Sequence, residues 1–251
     1  STSVAVVRKA LALLEHLAAV GEAGISKLSR DLHLPVATVH RLLATLSSAG
    51  YVLQSPGAQT YKLSTKVLQL SGAVLKRLNV RIVALPHMRR IAAELRETVN
   101  LGILEDTRIV YAETIPSPEP LRLEIAVGGL MAPHCTGLGK AICAHLSRAK
   151  LSKALPRGPL RSFTARTITD RHALLRQFEE ARTKGYALDD EERHQGIRSV
   201  GVPVWGRDGT VVAAISVAVP TVRMPDERLN AVIPVVRKAA AEISAELGYF
   251  G

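Results

Sequence analysis

Ser26–Gly50, SKLSRDLHLPVATVHRLLATLSSAG, is the stretch that decides how the chain is read. Leu34-Pro35 breaks it into two short helical segments, because proline disfavours helical geometry in the residue before it. In the second segment Val39, Leu42, Leu43 and Leu46 fall at i, i+3, i+4 and i+7 and build one apolar stripe. The opposite side carries Ala37, Arg41, Ala44, Thr45 and Ser48, flanked by Thr38 and His40. A small, polar face with one long cation can lie in a DNA major groove, where Arg reaches guanine edges and Thr reaches phosphates. An ordinary surface helix has the same pattern, so the stripe alone does not decide.

The flanks add to it. Val4–Val20 reads as a helix with Val7, Ala10, Leu11, Leu14 and Leu17 on its apolar face, stopped by Gly21. Ser26 suits the N-cap of a helix through Leu32. After Gly50, Tyr51-Val52-Leu53 and Thr60-Tyr61-Lys62-Leu63 read as strands, with Pro56-Gly57 in the turn. Three helices and a hairpin give the winged helix-turn-helix order, with Gln59 and Thr60 at a wing tip near DNA phosphates or the minor groove. Charge points the same way. Residues 1–98 hold 13 Lys+Arg and 5 Asp+Glu, a net of +8, against 20 and 17, a net of +3, over 99–251. A basic surface attracts phosphates and releases counterions, which favours double-stranded DNA over an acidic protein or anionic lipid.

The 251 residues allow one large domain or two ordinary ones, and 47% hydrophobic residues suffice for packed cores. No segment is apolar enough to span a membrane and no basic-then-apolar leader opens at Ser1, so the expected location is cytoplasmic. Cys135 and Cys143 are too few for a four-thiol zinc site or a disulfide framework, and no cofactor or metal is expected.

Beyond the hairpin, Thr65–Asn79 reads as a linker helix with Val67, Leu70, Val74 and Leu78 on one face. Either a homodimer seam or its own domain would cover that stripe. A second helix runs from about Arg81 to Thr98 with Ile82, Leu85, Ile91 and Leu95 on one face and Pro86 in its first turns. Asn100–Leu104, Arg108–Ile115, Leu121–Val127, Ser199–Trp205 and Val211–Val219 read as strands. Gly137–Ser147, Asp170–Lys184 and Asp226–Leu247 read as helices. Mostly neighbouring antiparallel strands with helices on one side predict an α+β sensor-like domain. The domains are then 1–64, a linker over 65–79, and 80–251.

Gly137-Leu138-Gly139 opens a helix, where free backbone N–H groups can hold a carboxylate. It is not a phosphate loop of the GxxxxGK[ST] type, because His134 falls on the first glycine and Ala141 replaces the hydroxyl. Asp189-Asp190-Glu191-Glu192 cannot all face one point and reads as a partly solvated loop with one pocket-facing member. His134 and Cys135, adjacent on an extended segment, would face opposite ways and make a poor nucleophile pair.

Taken together, the sequence resembles the IclR family of bacterial transcriptional regulators over nearly its whole length. The resemblance is carried by Val7–Leu17, LPVATVHRLLATLSSAGYV, YKLS, PHCTGLGKAICAHL, TITD, GYALDDEERHQGIRSVGVPV and GTVVAAISVAVP, in that order. It implies a winged helix-turn-helix, a linker helix and a GAF-like domain that binds a small effector, working as a homodimer or dimer of dimers on catabolic operons. In the recognition helix Ala37, Thr38, His40 and Arg41 are the candidate DNA contacts, with Arg8 as a possible phosphate contact. The resemblance places Gly137 and Leu138 at the mouth of the effector pocket and Asp189, Ile197, Ser199 and Ser216 around the ligand. Ile197 and Ser199 share a strand face while Arg198 points away. Relatives that bind very small oxo-acids can carry Cys and a second Ser where Ser199 and Ala218 stand, so a bulkier, even aromatic, acid is expected. The competing reading is a small-molecule enzyme with a helical appendage.

Overall fold

The computed structural model describes residues 4–70, 79–155 and 158–250. The chain divides into two compact units, Ser1–Arg77 and Leu78–Gly251. The division falls in the expected linker, whose residues 71–78, Val74 and Leu78 among them, lie outside the described residues. Split here, the first unit has 9 Lys+Arg against 3 Asp+Glu, a net of +6, and the larger second unit a net of +5. The charge per residue, though hardly the total, is concentrated in the first.

The first unit contains α1 (Ala5–Val20), β1 (Glu22–Gly24), α2 (Ile25–Asp31), α3 (Val36–Ser48), β2 (Val52–Gln54) and β3 (Thr60–Leu63). β3 pairs antiparallel with both neighbours in the order β1-β3-β2. Three residues carry no readable period, which is why β1 is not foreseen. Leu13, Leu17, Leu28, Val39, Leu42, Leu43 and Val52 form the core. In α1 the buried face agrees with expectation in part: Leu17 is buried and Ala10 and Leu14 pack against the core, but Leu13 is buried too and Val7 and Leu11 are each 52% exposed. Apolar residues lie on several sides of this helix, so the period alone does not fix the buried face. Ser26 is not the N-cap; Gly24 holds that position and Ser26 lies in the first turn of α2. Between α2 and α3, His33 takes a left-handed φ of 52° and the Ser29 hydroxyl donates to the Leu34 carbonyl at 2.6 Å.

The second unit contains α4 (Asn79–Leu95), β4 (Thr98–Glu105), β5 (Arg108–Ile115), β6 (Leu130–Met131), α5 (Gly137–Cys143) and α6 (Arg148–Ala154). It continues with α7 (Arg171–Lys184), β7 (Ala187–Asp190), β8 (Ile197–Trp205), β9 (Val211–Pro220) and α8 (Asp226–Glu246). Its strands form one antiparallel sheet in the order β6-β5-β4-β9-β8-β7. Leu121–Val127 is irregular rather than a strand, and α5 stops at Cys143, a turn short of Ser147. Pro86 sits inside α4, about two turns from Asn79, and the inward residues are Val80, Ala84, Met88 and Ile91; Ile82 is exposed.

Helices cover both faces of the sheet, not one. α4 and α8 pack on Val99, Leu101, Val200, Val202, Val204, Ile215 and Val217. On the other face Leu138 and Ile142 of α5 and Leu174 and Phe178 of α7 pack on Ile109, Tyr111 and Ala214. A sheet buried on both faces has strands without polar alternation, which is how VVAAISVAVP of β9 reads.

Candidate functional site

The surface of α3 is assembled as its stripe requires. Val39, Leu42 and Leu43 are buried, and Ala37, His40, Arg41, Ala44, Thr45 and Ser48 are exposed. Thr38 is half-buried at the flank. Pro35 stands at the N-cap with ψ of 140°, so the helix starts sharply and presents its first turn outward. Arg8 and Gln59 are exposed on α1 and at the wing. Thr60 differs: its hydroxyl donates to the Glu22 carboxylate and its backbone pairs with Gly24, so it serves the sheet rather than presenting a free hydroxyl.

In the second unit Gly137, Leu138, Asp189, Ile197, Ser199 and Ser216, though scattered over 80 positions, line one cavity. Three strands deliver them by parity. Asn100 of β4, Ser199 of β8 and Ser216 and Ala218 of β9 point to the α5 side, and their neighbours Val99, Val200, Val217 and Val219 point to the α4–α8 side. α5 lies hard against β8. A Cβ on Gly201 would come within 2.1 Å of the Gly137 carbonyl oxygen, and one on Gly137 within 2.9 Å of Ser199 Oγ. The Thr136 side chain caps α5 by accepting from the Gly139 N–H at 3.1 Å. Gly137 and Leu138, the first two residues of the helix, line the cavity.

Sequence reasoning missed several lining residues: Asn100, Tyr111, Thr136, Arg193 and His194. Arg193 matters most. Its guanidinium lies 4.1 Å from the Phe163 ring centre and its Nε donates to Met131 Sδ at 3.2 Å, with no carboxylate partner among the described residues. Arg198, as parity predicts, turns away, to Asp190 and to Asp226 at 2.9 Å. Leu123 and Ile125, in the segment expected to be a strand, also line the cavity, which has room for roughly one water as it stands.

The acidic run splits four ways. Asp190 pairs with Arg166 and Arg198, and Glu191, at a left-handed φ of 61°, accepts from the Gly196 N–H at 2.8 Å. Asp189 is the one member that lines the cavity, and Glu192 is buried away from it. Glu192 pairs with the fully buried Lys140, which also donates to Gln177 at 2.8 Å. Asp189 accepts from the Glu192 N–H at 2.8 Å and from Ser199 Oγ at 3.4 Å. Burial pushes its carboxyl up to about 7, against the pull of Lys140. The folded state therefore holds this proton more tightly than the unfolded chain, so its contribution to stability is present below about pH 4 and lost as pH rises through about 7. Asp189→Asn removes that dependence: the stability gained over the parent protein grows across this window in urea unfolding at stepped pH. A gain independent of pH would contradict the assignment.

Nothing here is poised for nucleophilic chemistry. His134 and Cys135 lie in a 3-10 turn, Pro133–Cys135, not on an extended segment, and bind separate acceptors: His134 Nε2 the Arg161 carbonyl at 3.0 Å, Cys135 Sγ the Ala132 carbonyl at 3.8 Å. Burial, with Asp189 adding to it, pushes the Cys135 thiol up to about 12, so it stays protonated at neutral pH. Among the described residues no three His, Cys, Asp or Glu side chains cluster as a metal site, and no helix is long and apolar enough to cross a membrane.

Comparison with known proteins agrees with this layout. Residues 6–56 match the IclR helix-turn-helix domain and residues 72–245 the bacterial transcriptional regulator IclR C-terminal domain. The HTH-type transcriptional regulator KdgR of Escherichia coli K12 is 34% identical over 247 residues, covering 98% of this chain and 94% of KdgR. The HTH-type transcriptional repressor AllR of the same strain is 30% identical, covering 96% and 90%. The crystal structure of Thermotoga maritima IclR superposes with a TM-score of 0.81 at 28% identity, covering 97% of this chain and 98% of that one. A Microbacterium hydrocarbonoxydans IclR homologue complexed with 4-hydroxybenzoate gives 0.79 at 25% identity, covering 90% and 91%. An exposed helix-turn-helix face, a separate α/β unit and matches over both place this chain in the IclR family: it is a DNA-binding transcriptional regulator, not an enzyme.

Proposed function

We propose that this regulator responds to a small organic acid held among Gly137, Leu138, Asp189, Ile197, Ser199 and Ser216, and so controls a catabolic operon. Binding would alter how the recognition helices of a homodimer or dimer of dimers meet their operator. The carrying observation is Arg193, a guanidinium without a carboxylate partner that lines a cavity of hydroxyls and one proton-holding carboxyl. A ligand carboxylate supplies the missing charge, and protonated Asp189 can donate to its second oxygen. The 4-hydroxybenzoate complex of the M. hydrocarbonoxydans homologue supports an organic acid as the ligand class. An acid of aromatic size requires the lining to move apart, because the cavity is water-sized as it stands.

Two experiments test the reading. Glyoxylate, pyruvate and 4-hydroxybenzoate are screened by thermal shift; at least one raises the melting midpoint, and Arg193→Gln weakens its binding about tenfold to a hundredfold, as expected for a hydrogen bond to a charged group. An unchanged affinity in Arg193→Gln removes Arg193 from the site. For the DNA face, Arg41→Ala weakens specific operator retention by about 1–3 kcal/mol in a mobility-shift titration. Its unfolding free energy stays within about 0.5 kcal/mol of the parent, since Arg41 is exposed. Equal retention of operator and unrelated DNA by the parent protein would sink the sequence-specific reading.

A further inference from the structure

A cavity much roomier than the one at Asp189 lies elsewhere in the second unit. It opens where β8 ends, between the end of α7 and the last turns of α8, and shares no lining residue with the effector pocket. Its volume is about 400 Å3, within the range of small-molecule sites. One wall is aromatic. His145 meets Trp205 edge-on at 4.7 Å, and Trp205 stacks on Tyr249 at 5.4 Å with planes 17° apart. Burial, with Arg182 adding to it, lowers the His145 pKa, so this ring presents an uncharged edge at neutral pH.

The rest of the lining is apolar except at the rim. Val202, Pro203, Ala240 and Ala241 offer only hydrocarbon, and the Ser244 hydroxyl is already engaged, donating to Ala240 at 2.7 Å and accepting from Trp205 N at 3.0 Å. Arg182 and Arg237 are exposed at the mouth, and neither is ion-paired with a carboxylate among the described residues. The Arg237 guanidinium lies beside Gly185, which closes α7 at a left-handed φ of 74°. No acidic side chain lines the cavity. A flat apolar body with one anionic end satisfies every group on this list.

We propose that this cleft is a second ligand site, taking a planar aromatic carboxylate whose ring lies against Trp205 and whose carboxylate is held by Arg182 and Arg237. Trp205 is the chain's single tryptophan, so its fluorescence reports this cleft directly. Full-length protein is titrated with benzoate, with benzyl alcohol and acetate as probes lacking the charge or the ring. Benzoate gives a saturable change in Trp205 emission, and each control binds at least about tenfold more weakly. Arg182→Gln/Arg237→Gln weakens benzoate at least about tenfold, and Ala241→Glu, which sets a carboxylate at the rim, does the same by an independent route. Arg193→Gln in the effector pocket leaves the Trp205 titration unchanged. The proposal is overturned if benzoate gives no saturable change or if benzyl alcohol matches it. It is equally overturned if both rim variants titrate like the parent, or if Arg193→Gln alone abolishes the signal.

Discussion

Lys140→Met is expected to lower the stability of the second unit by about 3–5 kcal/mol, as for one partner lost from a buried ion pair. Lys140 is 1% exposed, and its ammonium is shared between the Glu192 carboxylate and Gln177 Oε1. Burial raises the Glu192 pKa and Lys140 opposes that rise, so without the ammonium the carboxylate is left in a site that cannot solvate it. Glu192 Oε2 already has no hydrogen-bond partner among the described residues, which makes the residual charge costlier still. Removing both charges is the informative control. Lys140→Met/Glu192→Leu should recover most of the loss, since a buried pair replaced by apolar groups of similar size is often near neutral. Urea unfolding followed by Trp205 emission reads this unit selectively, because the only tryptophan lies in it. If the double variant were as unstable as Lys140→Met, the cost would be one of packing and the charge argument would fail.

That pair also marks where sequence reasoning stops. The stripe of α3 is legible because Val39, Leu42 and Leu43 bury at helical spacing, and its outward face follows from the same count. The parity of Asn100, Ser216 and Ala218 is equally local: each is a small or polar residue between buried valines, leucines or isoleucines on a strand, and Ser199 alternates with Arg198 and the buried Val200. Helices on both sheet faces could have been read from the unbroken apolar run of β9, and expecting one covered face ignored that signal. Lys140, by contrast, sits 52 residues from Glu192, and a lysine in GLGKA looks like a surface charge until the two elements meet. Arg193 follows the acidic run at once and is hidden by it. That its guanidinium faces the cavity while Glu191 and Asp190 turn elsewhere depends on the left-handed φ of Glu191, which no periodicity encodes. The outward side of α1 escaped for the opposite reason, too many apolar residues for one stripe to be chosen.

Gly201→Ala is expected to cost about 3 kcal/mol or more and to abolish any response to an acid ligand. The added methyl carbon would lie 2.1 Å from the Gly137 carbonyl oxygen and 2.8 Å from the Leu138 N–H nitrogen. Both are backbone atoms at the start of α5, so relief requires moving the helix away from β8. Such a shift displaces the Gly137 and Leu138 N–H groups from Ser199 and Asp189, and the pocket with them. Gly102→Ala gives the contrast. There the nearest atoms are Leu138 Cδ1 at 2.8 Å and Ile109 Cγ2 at 2.9 Å, ends of side chains that can rotate, and the cost should stay within about 1–3 kcal/mol. Thermal unfolding of the two variants, with a ligand thermal shift on each, separates the cases: Gly102→Ala keeps a reduced shift and Gly201→Ala shows none. Equal losses in stability would mean that α5 yields as easily as a leucine methyl, and the close backbone contact between α5 and β8 would not be what holds the pocket in shape.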